Sequence, residues 1–258
     1  MRKLLGADMY RMYHNKKIGI AFLAMVAVAG MMITMQYTAM DYEVELSRVI
    51  FLPMTFFGLV LAALVGFYAG EDFSEGTVRN KIVTGNQRSH IFVSQMLCVW
   101  SAALTIYVLT VLLTVCTGVP LFAHDVGAKE IMSCFGLGCL TVLAMGSLFY
   151  LITMWIGNRS VAVTICMGMA FVMLFLCLHT NQTLMQQPIK DGVANIHYVS
   201  GAKRICYELL HDINPMGQIA QLSEMKYLNA FRWILTDIVW MLFSAVAGTN
   251  IFNKKDIR

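Results

Sequence analysis

"EDFSEGTVRNKIVTGNQRSH" (residues 71–90) is the most polar stretch of its length in the chain, and long apolar runs flank it on both sides. Such punctuation is informative because the rest is so apolar. Of 258 residues, 58% are hydrophobic and only 13% charged, against about 25% charged in a soluble domain. The apolar residues come in uncharged blocks of about 20, the length that crosses bilayer hydrocarbon. Backbone groups in lipid must be satisfied within the segment, so these blocks are helices. Working outward from the polar stretch, spans fall near 18–38, 50–70, 91–119, 131–156, 160–180 and 233–252. The fold class is all-α, a polytopic membrane protein of six transmembrane helices in one domain, 1–258. The third span, at up to 29 residues, is longer than crossing requires and should tilt or project into water.

Charge orients the spans. Arg2, Lys3, Arg11, Lys16, Lys17, Arg79, Lys81, Arg88, Arg159, Lys254, Lys255 and Arg258 lie on one side, twelve of the 19 basic residues. The short opposite loops hold Arg48 and Lys129, outnumbered by Asp41, Glu43, Glu45, Asp125 and Glu130. The positive-inside rule puts both termini and residues 71–90 in the cytoplasm. The net charge of +4 is a topology signal and does not point to nucleic acid. Six of the seven cysteines sit in apolar runs and only Cys206 in a polar one, so no disulfide framework is implied. No CxxC, HExxH or other metal-ligand spacing occurs, and no cleavable signal peptide is evident.

Residues 1–17 place Leu4, Leu5, Met9, Met12 and Tyr13 on one arc at 100° per residue, with Ala7, Arg11 and His14 opposite. This reads as an amphipathic helix on the inner membrane surface, or more simply as a basic flank. Residues 181–231 form the one large external segment, with short helical patterns broken at Asn214-Pro215 and Ile205, Leu209 and Leu210 on one face. The pieces are too short to span. Re-entrant or interfacial helices and a plain external cap both fit.

Within 71–90, Asp72 and Glu75 have capping-box spacing, and Val78 and Ile82 form one small apolar face. Gly85 suits a left-handed helix end, and Ser89 can cap the third span. The expectation is a capped helix of about three turns. A helix that short is marginal alone, so it should dock on something, such as a cytoplasmic partner.

Here a resemblance enters. "EGTVRNKIVTGNQRSHI" resembles the cytoplasmic signature of ABC-2-type transporter permeases, on Glu75, Gly76, Thr77, Arg79, Gly85, Arg88 and Ser89. The amphipathic start, six spans, external segment and the ending "FNKKDI" (252–257) are similar to that family too. The resemblance implies a permease subunit in the bacterial cytoplasmic membrane, paired with a second permease copy or paralogue. Two cytoplasmic ATP-binding subunits would hold ATP and Mg, with no cofactor in this chain. Glu75, Gly76, Thr77, Arg79, Lys81 and Arg88 would belong to the coupling loop that contacts the ATPase. The chain has no GxxxxGK[ST] phosphate loop of its own, so it is not expected to be an enzyme.

Span two carries Gly58, Ala62, Gly66 and Gly70 four apart, a small-residue stripe. It serves packing within the subunit, or else a subunit interface or a moving contact near the translocation path. Asp237 is the one acid well inside a span. Such groups are functional candidates, but this one lies about a turn from the outer end, near Arg232, and could be interfacial or paired there. Otherwise the spans carry Thr as their main polar residue, which suits an amphiphilic or apolar cargo: a peptide antibiotic, a drug or a lipid, including self-protection against a toxic peptide. The alternatives are a membrane-embedded enzyme using His179, His211 and Asp212, and a self-contained ion-coupled carrier.

Overall fold

The computed structural model describes residues 2–39, 44–190, 193–195 and 198–255. Met1, Asp41, Glu43, Asp256, Ile257 and Arg258, used above, lie outside the described residues. Among the described residues ten helices run α1 (Arg2–Tyr13), α2 (Lys16–Ala39), α3 (Phe57–Ser74), α4 (Thr77–Val83), α5 (Arg88–Gly118), α6 (Ala128–Ile156), α7 (Arg159–Leu184), α8 (Ala202–Ile213), α9 (Pro215–Ser223) and α10 (Ala230–Lys254). Two 3-10 turns, Leu46–Arg48 and Leu52–Phe56, lead into α3, and one antiparallel pair of two-residue strands joins Ile189–Lys190 to Val193–Ala194.

Six of these segments are long and apolar enough to cross a membrane: Lys16–Thr38, Leu46–Ser74, Arg88–Gly118, Ala128–Ile156, Arg159–Leu184 and Ala230–Lys254. Their surfaces carry the physical signature of lipid. Ile20, Leu23, Phe175, Leu242 and Val246 are among many large apolar side chains left open, far more than a soluble monomer exposes. The segments of α3 and α6 are mostly buried at the centre, while α2, α7 and α10 are largely open at the periphery.

The small-residue stripe is filled from within the chain. A methyl built on Gly66 would stand 2.9 Å from the Val163 Cα, and one on Gly70 2.9 Å from the Arg159 Cα. Ala62 is fully buried, and Gly58 faces Met145 and Met216. Of the two readings, packing within the subunit is the one this seam of α3 against α7 realises.

The polar stretch departs from expectation. Asp72 is not a helix cap. It lies inside α3, which runs on to Ser74, and it is buried. Gly76 then breaks the helix at φ +69°, in the left-handed region, where a residue without a Cβ is favoured. The following helix, α4, has seven residues, two turns rather than three. Its apolar face is as expected, with Val78 fully buried and Ile82 packed on the core, and Gly85 ends it at φ +87°. Ser89 does not cap α5. Gln87 occupies that position without a side-chain bond.

Contacts place α1, α4, the 157–159 turn and the C-terminal end of α10 at one end of the bundle. There Arg88 donates to the carbonyls of Phe252 (3.4 Å), Asn253 (3.3 Å) and Lys255 (2.5 Å). Lys255 Nζ in turn donates to the Met154 and Trp155 carbonyls, each at 2.8 Å. These cations satisfy the orphan carbonyls at the ends of α10 and α6.

At the opposite end α8 and α9 form a hairpin hinged at Asn214, whose Oδ1 accepts from Met216 N at 3.1 Å. Asn214 Nδ2 donates to the Met173 carbonyl at 2.8 Å. Met173 lies about 16 Å along the axis from the C-terminal end of α7, at 1.5 Å rise per residue. The hairpin therefore descends to mid-helix, and α9 is buried along most of its length. The apolar face of α8, with Ile205, Leu209 and Leu210, turns outward.

Candidate functional site

At the terminus-bearing end, α1 lies along the first part of α5. Leu4, Leu5 and Met9 pack on the core and Met12 is fully buried. Tyr13 is half exposed, and its hydroxyl bonds Ser101 Oγ (2.5 Å) and Thr105 Oγ1 (2.9 Å). Between these residues sits an acid that the apolar pattern of residues 1–17 does not single out. Asp8 is 2% exposed, accepts from Ser94 Oγ at 2.8 Å and pairs with Lys81 Nζ at 2.6 Å. At 100° per residue Asp8 falls inside the arc of Leu4, Leu5 and Met12. An acid at the centre of an apolar face was the available signal for a buried partner.

Asp72 completes the cluster. It pairs with Arg11 at 2.5 Å and Lys81 at 3.6 Å and accepts from Gln95 Nε2. Tyr150 braces Gln95, donating to its Oε1 at 3.2 Å. Burial works against the Arg11 charge, but the Asp72 carboxylate outweighs it and holds the guanidinium above its usual range. Two acids and two bases thus bind α1, α3, α4 and α5 into one neutral buried unit. Glu71 adds an outer layer with Lys17 and, at 3.8 Å, Arg159.

Beside the cluster lies a cleft of about 410 Å³ lined by Tyr10, Arg11, His14, Glu71 and Glu75. An apolar groove of about 370 Å³ runs between α2 and α3 along Ile20, Ala24, Val60, Ala63 and Phe67, with Lys17 and Arg159 at one end.

The residues singled out in the polar stretch divide in two. Lys81 points into the cluster and Arg88 onto the α10 carbonyls. Glu75, Arg79, Asn80, Val83 and Thr84 are exposed, and Gly76 and Thr77 form the bend beneath them. Arg88→Ala should therefore cost about 1.5–3 kcal/mol, the worth of hydrogen bonds from a charged donor. Arg79→Ala should change stability by no more than about 0.5 kcal/mol. Thermal unfolding in detergent checks both.

The opposite end holds a second buried polar network. Asp237 is fully buried and is not paired with Arg232. Arg232 goes instead to Asp212 at 3.3 Å and Glu208 at 4.0 Å, because five residues at about 100° each set it about 140° around α10 from Asp237, on the α8 side. Asp237 Oδ2 accepts from Thr141 Oγ1 at 3.1 Å, with Gln218 and Trp233 alongside. His211 bonds Thr180 at 2.9 Å, and burial lowers its pKa. Burial raises the Asp212 carboxyl against the pull of Gln221 and Arg232. His179 is exposed beside Tyr207. The three residues of the enzyme alternative thus engage different partners. Among the described residues no group of three His, Cys, Asp or Glu side chains is placed to hold a metal ion.

No curated protein matches the chain. Residues 4–258 match the family described as "Protein of unknown function (DUF2705)", and the chain belongs to that family.

Proposed function

We propose that this chain is the permease subunit of an ATP-driven exporter in a bacterial cytoplasmic membrane, of the ABC-2-type plan that residues 75–89 resemble. What carries the reading is α4. Its inner face is locked by Val78 and Lys81, and its outer face offers Arg79 and Val83, which is 78% exposed, while the exposed Glu75 ends α3 just before the bend. An exposed Arg, a residue type enriched at interface hot spots, on the free face of a short helix anchored from behind suits docking in a cleft of a partner protein. Two cytoplasmic ATP-binding subunits would supply ATP and Mg, and a second permease copy or paralogue would complete the assembly.

A push on α4 reaches α1 through Lys81 and Asp8, and α3 and α5 through Asp72 and Gln95. The cargo is an amphiphile, a peptide antibiotic, drug or lipid. The α2–α3 groove supports this class, apolar along its length and cationic at one end.

Co-expression with ABC-type ATP-binding subunits, beginning with any found encoded beside this gene, tests the reading. Glu75→Arg and Arg79→Glu should each lower permease-dependent ATPase activity roughly tenfold, a usual size for coupling between sites. Expression and thermal stability should stay unchanged. Full activity in both variants would sink the assignment.

Buried Asp237 favours one second reading, a self-contained proton-coupled carrier, since intramembrane acids serve such relays. Transport by the purified chain in vesicles driven by a pH gradient without ATP would select it.

A further inference from the structure

We propose that Asp237 is a protonated carboxylic acid in the folded chain, and that its proton completes the hydrogen-bond set that joins α10, through Thr141, to the buried helix α9. The argument is a count of hydrogens. Thr141 Oγ1 receives the indole N–H of Trp233 at 2.6 Å. It faces three acceptors: Gln218 Oε1 at 3.1 Å, Asp237 Oδ2 at 3.1 Å and the Leu137 carbonyl at 3.3 Å. A hydroxyl has one hydrogen to give. Gln218 cannot help, because its Nε2 already donates to the Asp212 carbonyl at 2.8 Å and to Thr236 Oγ1 at 2.9 Å. Turning the amide over would set Gln218 Oε1 against the Asp212 carbonyl oxygen at that same 2.8 Å, acceptor on acceptor. Asp237 Oδ1, also buried, has no partner at all.

As a carboxylate, Asp237 would therefore be a fully buried charge with one well-formed hydrogen bond, from Thr141, while the nearby Gln218 amide and Trp233 indole are already engaged elsewhere, a costly arrangement. No base offsets it. Arg232 pairs with Asp212 and Glu208, and His211 bonds Thr180. Helix α9 carries no charged side chain, and α5 has only Arg88 and His90, at its far end. On α6, Lys129 and Glu130 precede Thr141 by about three turns. One added hydrogen resolves the excess of acceptors: a carboxylic acid brings its own, so Thr141 no longer has to serve both Asp237 Oδ2 and Gln218 Oε1 with a single hydrogen.

The proton depends on the seat. If α9 withdrew, water would reach the carboxyl. The acid would then ionise at neutral pH, its proton passing to water. Hairpin movement and proton release are thereby one event.

Infrared spectroscopy of the purified full-length protein at neutral pH tests this without reference to transport or to any ATPase. The wild type should show a protonated-carboxyl C=O band that shifts in D2O and is missing in Asp237→Asn. The variant's amide replaces the acid donor, so its unfolding midpoint should stay within about 4 °C of wild type. A wild-type spectrum without that band would overturn the proposal. So would a marked loss of stability in Asp237→Asn together with stabilisation of the wild type by sodium over choline, since the site would then hold a carboxylate and a metal cation.

Discussion

Asp72→Ala is expected to cost about 3 kcal/mol, the lower part of the range for breaking a buried ion pair, and to free α1 for proteolysis. The lower part applies because Arg11 keeps 36% of its side chain exposed and can turn to water. Lys81, at 12%, retains Asp8. Removing Asp72 leaves a buried unit with one surplus positive charge and strands the Gln95 amide. Asp72→Asn keeps the shape and loses the charge, so it should fall between wild type and Ala. Adding Arg11→Met to Asp72→Ala should recover part of the loss, and the double-mutant cycle isolates the pair. Thermal unfolding in detergent and limited digestion of residues 2–13 supply the readouts. Unchanged protection of α1 would show that its apolar arc alone holds it.

Gly66→Leu should be the second severe change. A methyl at Gly66 already meets the Val163 Cα at 2.9 Å, and backbone cannot rotate aside as a side chain can. Gly66→Ala and Gly70→Ala should each cost about 1–3 kcal/mol as overpacked sites, and Gly66→Leu more, since α3 and α7 must separate along their whole seam. Gly168→Ala is the control. It lies on α7 with nothing within 4 Å of the added methyl, and should be neutral or slightly stabilising, because Ala is the better helix former. Equal stability of Gly66→Leu and Gly168→Ala would refute the seam.

Much of the architecture was legible because lipid imposes a single rule: twenty apolar residues without charge make one helix. The six spans, the break at Asn214-Pro215 and the left-handed end at Gly85 all follow from local chemistry. The error at Asp72 has the same origin. An acid three residues before Glu75 is locally a cap, and nothing in the neighbouring residues announces that Arg11 and Lys81 will reach it. Asp8 could have been found from its place inside an apolar arc. Asp237 could be noticed as an acid in a span, but its partners could not be named, since Thr141 and Gln218 lie 96 and 19 positions away.

By itself the sequence determined which segments cross the bilayer, where short helices start and stop, and that residues 71–90 stand out as a defined element. These depend on hydrophobic length and backbone preference, which act over a few turns. The tertiary structure alone decided that the stripe Gly58, Ala62, Gly66 and Gly70 is filled within the chain and that α9 sinks to mid-helix. It also divided the polar stretch into an inward anchor, Lys81, and an outward face, Glu75 and Arg79. Those outcomes depend on which distant side chains meet, and buried charges and hydrogen-bond donors must be satisfied by whatever the fold brings to them.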